Sequence, residues 1–253
     1  FDWKTIWRRS ICAGIIRSKK PHPGVEAKRA WLAQRLREGH VFRKLDTKGV
    51  VFIEYAPLET AWAPVEGENY LYIYCLWVSG EFKGKGYGRH LMEYCLADAK
   101  SKGKSGVCML GAEKQKAWLS DQAFAAKYGF ETVDTTPGGY RLLARSFDGT
   151  KPHFAENAKQ LEIESSDLTI YYSPQCPYIR SERRTGAQDL RGAGGTLYPH
   201  SSGHFGKGQG SARCVQQLGG ILSREVRDGE SAERRRFETA PKKVRCAHGN
   251  QKS

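Results

Sequence analysis

The chain has 253 residues, a formal net charge of +14, and hydrophobic residues at 39% of its positions. These values predict a globular protein of one large or two modest domains, and no apolar run approaches the ~20 residues that span a bilayer. The seven cysteines show no CxxC pair and no zinc-ligand spacing, as is typical of proteins from a reducing cytoplasm. We therefore expect a cytoplasmic protein with no metal site and no signal peptide.

Apolar periodicity along the chain predicts alternating helices and strands. Helices are predicted over 24–39, 87–101 and 120–130, and strands over 40–46, 50–65 (interrupted near Pro57), 70–79, 105–112, 130–135 and 140–147. A helix, three strands, a helix, a strand, a helix and two strands together indicate an α/β (α+β) protein with a mixed sheet.

The segment "GEFKGKGYGRHL" (80–91) places glycines between a strand and a helix. Such a turn directs several backbone N–H groups at one point, where the helix dipole adds partial positive charge. Glycine lets a phosphate approach these amides, and nearby lysines and arginines neutralise it. The segment lacks the Gly-Lys-Ser/Thr of a Walker loop and the G-x-G-x-x-G spacing of a dinucleotide fingerprint. A pyrophosphate site is therefore predicted, and a charged surface turn is the alternative.

The string Lys83-Gly84-Lys85-Gly86-Tyr87-Gly88 resembles the acetyl-CoA pyrophosphate loop of the GNAT superfamily of N-acetyltransferases, usually written Gln/Arg-x-x-Gly-x-Gly/Ala. The strings "AKRAWLAQRLREGHVFRKLD", "VFIEY", "LWVSGEFKGKGYG" and "WLSD" resemble a bacterial GNAT subgroup, the YoaP-like proteins, whose acetyltransferase is followed by a thioredoxin-like segment. The resemblance covers roughly residues 9 to 179. It implies a mixed, mostly antiparallel sheet flanked by helices.

The resemblance also implies a domain organisation. We expect a GNAT domain over 1–147, with a poorly defined arm over 1–23, and a linker over 148–167. The first strand and Cys-Pro turn of a truncated thioredoxin-like module follow over 168–179, and a basic tail over 180–253.

The activity implied by the resemblance is transfer of an acetyl group from acetyl-CoA to the amine of a small molecule or a protein. In this family the fourth and fifth strands splay apart, and pantetheine bonds to the exposed strand backbone. Carried over, those backbone groups come from Leu76, Trp77 and Val78, with the Val78 N–H as oxyanion donor. The pyrophosphate is then held by Lys83, Gly84, Lys85, Gly86, Tyr87, Gly88 and Arg89.

Two proton-transfer residues are expected. Glu54 in "FIEY" is a candidate general base pointing into the acceptor cleft, with an ordinary polar strand position as the alternative. The family's usual general acid is a Tyr four residues before the Gly of "GF", and here that position is Ala125. Tyr128 on the same helix is the substitute candidate, with simple aromatic packing or solvent as alternatives.

Cys176 in "SPQCPYI" resembles the active turn of glutaredoxin-like proteins, in which a helix N-terminus lowers the thiol pKa. The second cysteine of such a turn is absent, because Ile179 stands at its position. A redox centre and an inert cysteine are the two alternatives for Cys176.

The tail from Arg180 onward carries more than half of the positive excess, is rich in Arg, Gly and Ser, and lacks apolar periodicity. This composition predicts disorder. Reading one nucleotide forward with permitted codons gives instead the helix and strand order of a thioredoxin-like domain, with a stop at the codon of Val244. We therefore interpret the tail as a frameshift product, so its charge gives no support to nucleic-acid binding.

The sequence is compatible with three functions. The first is the acetyltransferase, and the second is a non-catalytic module that binds or senses CoA, which the alanine at position 125 would suit. The third and least favoured is nucleic-acid binding through the basic tail.

Overall fold

The protein is described by a computed structural model that covers residues 3–5, 23–47, 49–116, 118–159 and 175–177. The predicted tail (180–253) and most of the predicted thioredoxin-like fragment lie outside these residues. Within them the elements are β1 (Trp3–Thr5), α1 (Pro23–Arg35), β2 (Val41–Leu45), β3 (Val51–Pro57), β4 (Val65–Glu66), β5 (Tyr70–Val78), α2 (Tyr87–Ser101), β6 (Gly106–Ala112), α3 (Gln122–Ala126), β7 (Glu131–Thr135), β8 (Tyr140–Ser146), β9 (His153–Phe154) and α4 (Glu156–Lys159).

Seven of these strands form one sheet in the order β1-β2-β3-β5-β6-β8-β7, and β4 pairs with β9 in a second, two-stranded sheet. The β5–β6 pair is parallel, and every other neighbouring pair is antiparallel. This arrangement confirms the predicted mixed, mostly antiparallel sheet. The parallel pair is connected through α2, as a parallel connection requires.

Helices cover both faces of the centre of the sheet, so β3 is buried on both sides. Alternate β3 side chains pack with residues of α2 in one core cluster: Val51, Ile53, Tyr55, Leu91 and Cys95. Helix α1 covers the opposite face of the sheet, and there Phe52 packs with Trp31 and Leu32. Because strand side chains alternate between faces, Glu54 lies on the α1 face with Phe52.

Several predicted boundaries agree with the structure. The helix predicted over 24–39 is α1 followed by a 3-10 turn, and Gly39 ends it in the left-handed region at φ 83°. The helix predicted over 120–130 is shorter: α3 is capped by Asp121, whose Oδ1 accepts a hydrogen bond from the Phe124 N–H at 3.1 Å.

The predicted linker begins with packed residues. Phe154 in β9 is buried, and its N–H donates to Asp134 Oδ2 at 2.8 Å. Lys159 Nζ lies 3.1 Å from the same carboxylate oxygen. The packed part of the chain therefore continues to α4. Among the described helices, none is long and apolar enough to cross a membrane.

Candidate active site

A cleft opens where β5 and β6 separate. The two strands pair only between Tyr70–Ile73 and Gly106–Met109, although β5 continues to Val78 and β6 to Ala112. The cavity between them has a volume of about 660 Å³, within the range of small-molecule sites. All the predicted cofactor-binding residues except Lys85 line it: Leu76, Trp77, Val78, Lys83, Gly84, Gly86, Tyr87, Gly88 and Arg89.

Backbone direction along β5 decides which strand residues can bond to a ligand. The Ser79 N–H donates to the Val50 carbonyl at 2.9 Å, on the β3 side of the strand. Backbone groups alternate in direction along a strand, so the Trp77 groups also face β3, whereas those of Leu76 and Val78 face the cleft. Trp77 is an exposed residue that lines the cleft, and this alternation directs its backbone groups to β3 rather than to a ligand in the cleft.

Ser120 is a cleft residue that the sequence analysis did not single out, because it only begins the helix predicted over 120–130. Its Oγ accepts a hydrogen bond from the Leu76 N–H at 3.0 Å and donates to the Leu76 carbonyl at 3.4 Å. The cap itself is Asp121. The partner of Ser120 is a backbone 44 residues earlier in the chain, so no local sequence pattern marks this role.

The glycine loop joins the end of β5 to α2. Gly84 and Gly86 lie in the left-handed region at φ 76° and 80°, which explains why glycine stands there. Gly86 is the N-cap of the 15-residue helix α2, whose first N–H groups and dipole favour an anion. Lys83 and Arg89 are exposed residues that line the cavity, whereas Lys85 is exposed and does not line it.

Gly88 lies next to α3, where an added Cβ would make only ordinary van der Waals contact. A Cβ at this position would lie 3.4 Å from Cζ of Phe124, which also lines the cavity. The loop and α3 therefore approach each other closely across the cleft.

Glu54 lies in a buried polar cluster on the α1 face. Its Oε2 accepts hydrogen bonds from Lys28 Nζ at 2.6 Å and from Gln175 Nε2 at 2.8 Å. Its Oε1 lies 3.0 Å from His40 Nε2. Lys28 Nζ also donates to the Gln175 carbonyl at 2.6 Å. The partners come from α1, from the residue before β2, and from a segment far along the chain.

The surroundings of Glu54 keep it ionised. Burial alone would raise the pKa of its carboxyl, but the charge of Lys28 and the contacts of His40 outweigh burial and lower that pKa. The Glu54 side chain is fully buried and does not line the cleft. The structure therefore places the predicted base on the opposite face from α2, with three donors on its two oxygens.

Ala125 in α3 and Tyr128 just after it lie on the side of the cleft that Phe124 lines. Ala125 is fully buried in the α2-side core, so the usual Tyr position contributes only packing here. The Tyr128 ring lies 5.0 Å from the ring of Phe124, a cavity-lining residue. Burial is the main cause that raises the pKa of Tyr128, and its hydroxyl is protonated near neutral pH.

Comparison with known proteins places these features in a family. Residues 7–130 match the model of the acetyltransferase (GNAT) family. The chain is 37% identical over 170 residues to an uncharacterized N-acetyltransferase, YoaP, of Bacillus subtilis (strain 168), which covers 66% of this chain and 67% of that protein.

Two solved structures are similar at low identity. An N-acetyltransferase from Staphylococcus aureus Mu50 is 15% identical, with a TM-score of 0.44 over 57% of this chain and 96% of that one. A GNAT family acetyltransferase from Brucella melitensis in complex with acetyl-CoA is 15% identical, with a TM-score of 0.36 over 57% and 80%. From the family match and the identity to YoaP, the chain belongs to the GNAT family of acetyltransferases, whose acetyl donor is acetyl-CoA.

Proposed function

We propose that the chain transfers the acetyl group of acetyl-CoA to an amine nitrogen, with the cleft between β5 and β6 as the cofactor site. The observation that carries this assignment is the end-to-end arrangement of two binding features. The outward-facing backbone of β5 at Leu76 and Val78 runs directly into the glycine loop at the N-terminus of α2. Pantetheine bonded along the strand would place its pyrophosphate at the loop.

The reaction forms a carbon–nitrogen bond and breaks the carbon–sulfur bond of the thioester. The amine nitrogen loses a proton and the CoA sulfur gains one. Charge develops on the carbonyl oxygen between these steps, and a fixed backbone N–H in the cleft stabilises it. Val78 is the proposed donor, because Ser120 already occupies the Leu76 N–H.

For removal of the amine proton, Glu54 stays the predicted residue. Its contacts favour a positioning role, since a carboxylate with a lowered pKa and three donors is a weak base. A Glu54→Gln variant separates the two roles. A positioning role lowers kcat/KM by the same factor at every pH, whereas loss of a base removes the low-pH limb of the profile.

For protonation of the CoA sulfur, Tyr128 stays the predicted donor. Its protonated hydroxyl and its contact with Phe124 support this role. Tyr128→Phe should then lower kcat and leave the KM for acetyl-CoA unchanged. An unchanged kcat would assign protonation to solvent.

A CoA-binding or sensing module is the second candidate, and the burial of Ala125 at the usual acid position is the observation that favours it. Both candidates require CoA binding, which stabilises the folded protein. Only the enzyme releases free CoA when an acceptor is present.

The test is a panel of polyamines, aminoglycosides, amino acids and peptide N-termini, with free CoA measured by chromatography. Release that disappears in Gly86→Ala and persists in Gly103→Ala would support the enzyme. CoA binding without release across the panel would support the sensor, and no binding of CoA or acetyl-CoA would overturn both.

We further propose that the protein acts in the bacterial cytoplasm on a small-molecule or protein amine. The bacterial relative and the scattered cysteines support this location. Nucleic-acid binding through the tail remains the least favoured role, because the tail is interpreted as a frameshift product whose charge gives no support to it.

A further inference from the structure

Residues Gln175–Pro177 lie against the α1 face of the sheet. Gln175 is bonded twice, through its side chain to Glu54 and through its carbonyl to Lys28. Both partners are buried, and Gln175 itself is only 9% exposed. Pro177 is buried as well. Hydrogen bonds to the buried Lys28–Glu54 ion pair therefore hold this short segment in place.

Cys75 belongs to the same region. It is the direct cross-strand partner of Glu54 in the β3–β5 pair, so both side chains lie on the α1 face. A bulge next to this pair makes Tyr55 face Ile73 and leaves Tyr74 as the extra residue. Both Tyr74 and Cys75 consequently pack on the α1 side.

Cys176 directly follows Gln175, which bonds to Glu54, and Glu54 is the cross-strand partner of Cys75. Both residues carry free thiols. Cys176 is also close enough to Cys75 to act on it electrostatically, because it is one of the groups that raise the pKa of Cys75.

We propose that Cys75 and Cys176 form a disulfide site that links β5 to the segment 175–177 next to the Glu54 cluster. Neither the acetyltransferase assignment nor any cofactor is needed for this inference. The oxidant is a small-molecule disulfide such as oxidised glutathione. In the first step a thiolate attacks it, forms a mixed disulfide and releases one reduced thiol. In the second step the other protein thiolate attacks the mixed disulfide and releases a second reduced thiol.

The order of these steps follows from the surroundings of Cys75. Burial is the main cause that raises its pKa to about 12, the charge of Glu54 acts in the same direction, and Lys28 acts in the opposite direction. Since the thiolate is the attacking species, Cys75 is the slower nucleophile. Cys176 therefore reacts first with the external disulfide, and Cys75 completes the link.

The test uses the full chain with Cys12, Cys214 and Cys246 replaced by serine, so that cysteines outside the described residues do not compete. The protein is incubated with oxidised glutathione, and its peptides are analysed by mass spectrometry without reduction. The expected product is a peptide pair that joins Cys75 to Cys176. Cys75→Ser should leave a glutathione adduct on Cys176, and Cys176→Ser should leave neither product.

Two further variants control for non-specific oxidation. Cys108→Ser removes a fully buried thiol of β6 and should leave the link unchanged. Gln175→Ala removes one anchor of the segment and should slow the second step by about tenfold, because it lowers the effective concentration of Cys176 at Cys75. A glutathione adduct that persists on Cys176 in the presence of Cys75, or a link from Cys176 to Cys95 or Cys108, would overturn the proposal.

Discussion

The hydroxyl of Ser120 bonds to both backbone groups of Leu76, accepting from the N–H at 3.0 Å and donating to the carbonyl at 3.4 Å. These are the strand groups that face the cleft. A pantetheine chain lying along β5 would meet them already occupied by a side chain. Without cofactor, Ser120 therefore provides the hydrogen-bond partner of the Leu76 N–H and carbonyl. A cofactor bound along β5 would have to share or replace these hydrogen bonds.

A Ser120→Ala variant should be less stable without CoA and more strongly stabilised by it. Losing the hydroxyl leaves a half-buried N–H and carbonyl without a protein partner, which costs about 1–3 kcal/mol. Bound CoA restores those bonds, so the rise in Tm at saturating CoA should exceed that of the parent. Thermal melting with and without CoA measures both effects. Ser101→Ala, remote from the cleft, is the control, and an equal rise in all three proteins would contradict the expectation.

Substitution at Gly86 should weaken CoA binding beyond its cost in stability. Gly86 and Gly103 flank α2, have φ of 80° and 62°, and have no atom within 4 Å of an added Cβ. Alanine at either position should therefore cost about 1–2 kcal/mol through the left-handed backbone alone. Urea unfolding should give similar losses, whereas calorimetry should show weaker CoA binding only for Gly86→Ala. Equal affinities would remove the loop from the cofactor site.

Lys83 and Arg89 should matter for the pyrophosphate, and Lys85 should matter less, because it does not line the cleft. Lys83→Ala and Arg89→Ala should each raise the KM for acetyl-CoA by about 5–30-fold, as expected for loss of a charge-assisted hydrogen bond. S-acetylpantetheine, which lacks the pyrophosphate, provides the matched control. Its KM should be unchanged in both variants, and a parallel increase would show that the side chains act on the fold instead.

Replacement of Glu54 should be strongly destabilising. Glu54→Gln leaves Lys28 buried without its counter-charge, and breaking a buried pair in this way costs about 3–5 kcal/mol. The double variant Lys28→Met/Glu54→Met should recover much of the loss, because it removes both charges. Urea unfolding at neutral pH measures the cycle, and additive losses would show that the two residues act independently.

The same pair predicts a pH dependence. The folded state lowers the pKa of the Glu54 carboxyl below its ordinary value of 4.5, so it stabilises the ionised form. That contribution is fully present above pH 4.5 and is lost as the pH falls through the lower folded pKa. The difference in unfolding free energy between parent and Glu54→Gln should thus be constant near neutral pH and shrink in acid. A difference that grows in acid would contradict the lowered pKa.

Local sequence signals predicted the elements that depend on neighbouring residues. The helix over 87–101 and its glycine N-cap follow from a 3.6-residue apolar pattern and from glycines next to it. Gly39 marks the end of the first helical segment for the same local reason. The cleft-lining residues were also accessible, because the glycine motif lies within one short stretch of chain.

The environment of Glu54 depends on contacts that no local pattern records. Its partners Lys28 and Gln175 are 26 and 121 residues away along the chain. Alternation placed Glu54 correctly on one face of β3, but that face is covered by α1 rather than open to an acceptor. Likewise the partner of Ser120 is a backbone 44 residues earlier, and a backbone partner leaves no trace in residue identity.

Because β5 separates early from β6, a cofactor bound along β5 would take the place of the missing neighbouring strand. Beyond Ile73 the strand does not pair with β6, and Ser120 bridges part of the gap. Binding a ligand along this edge therefore continues the hydrogen-bonding ladder of the fold itself. The amide protons of Leu76 and Val78 should then exchange with solvent more slowly when the cofactor is bound. Release of the product CoA and local opening of this sheet edge would therefore occur together.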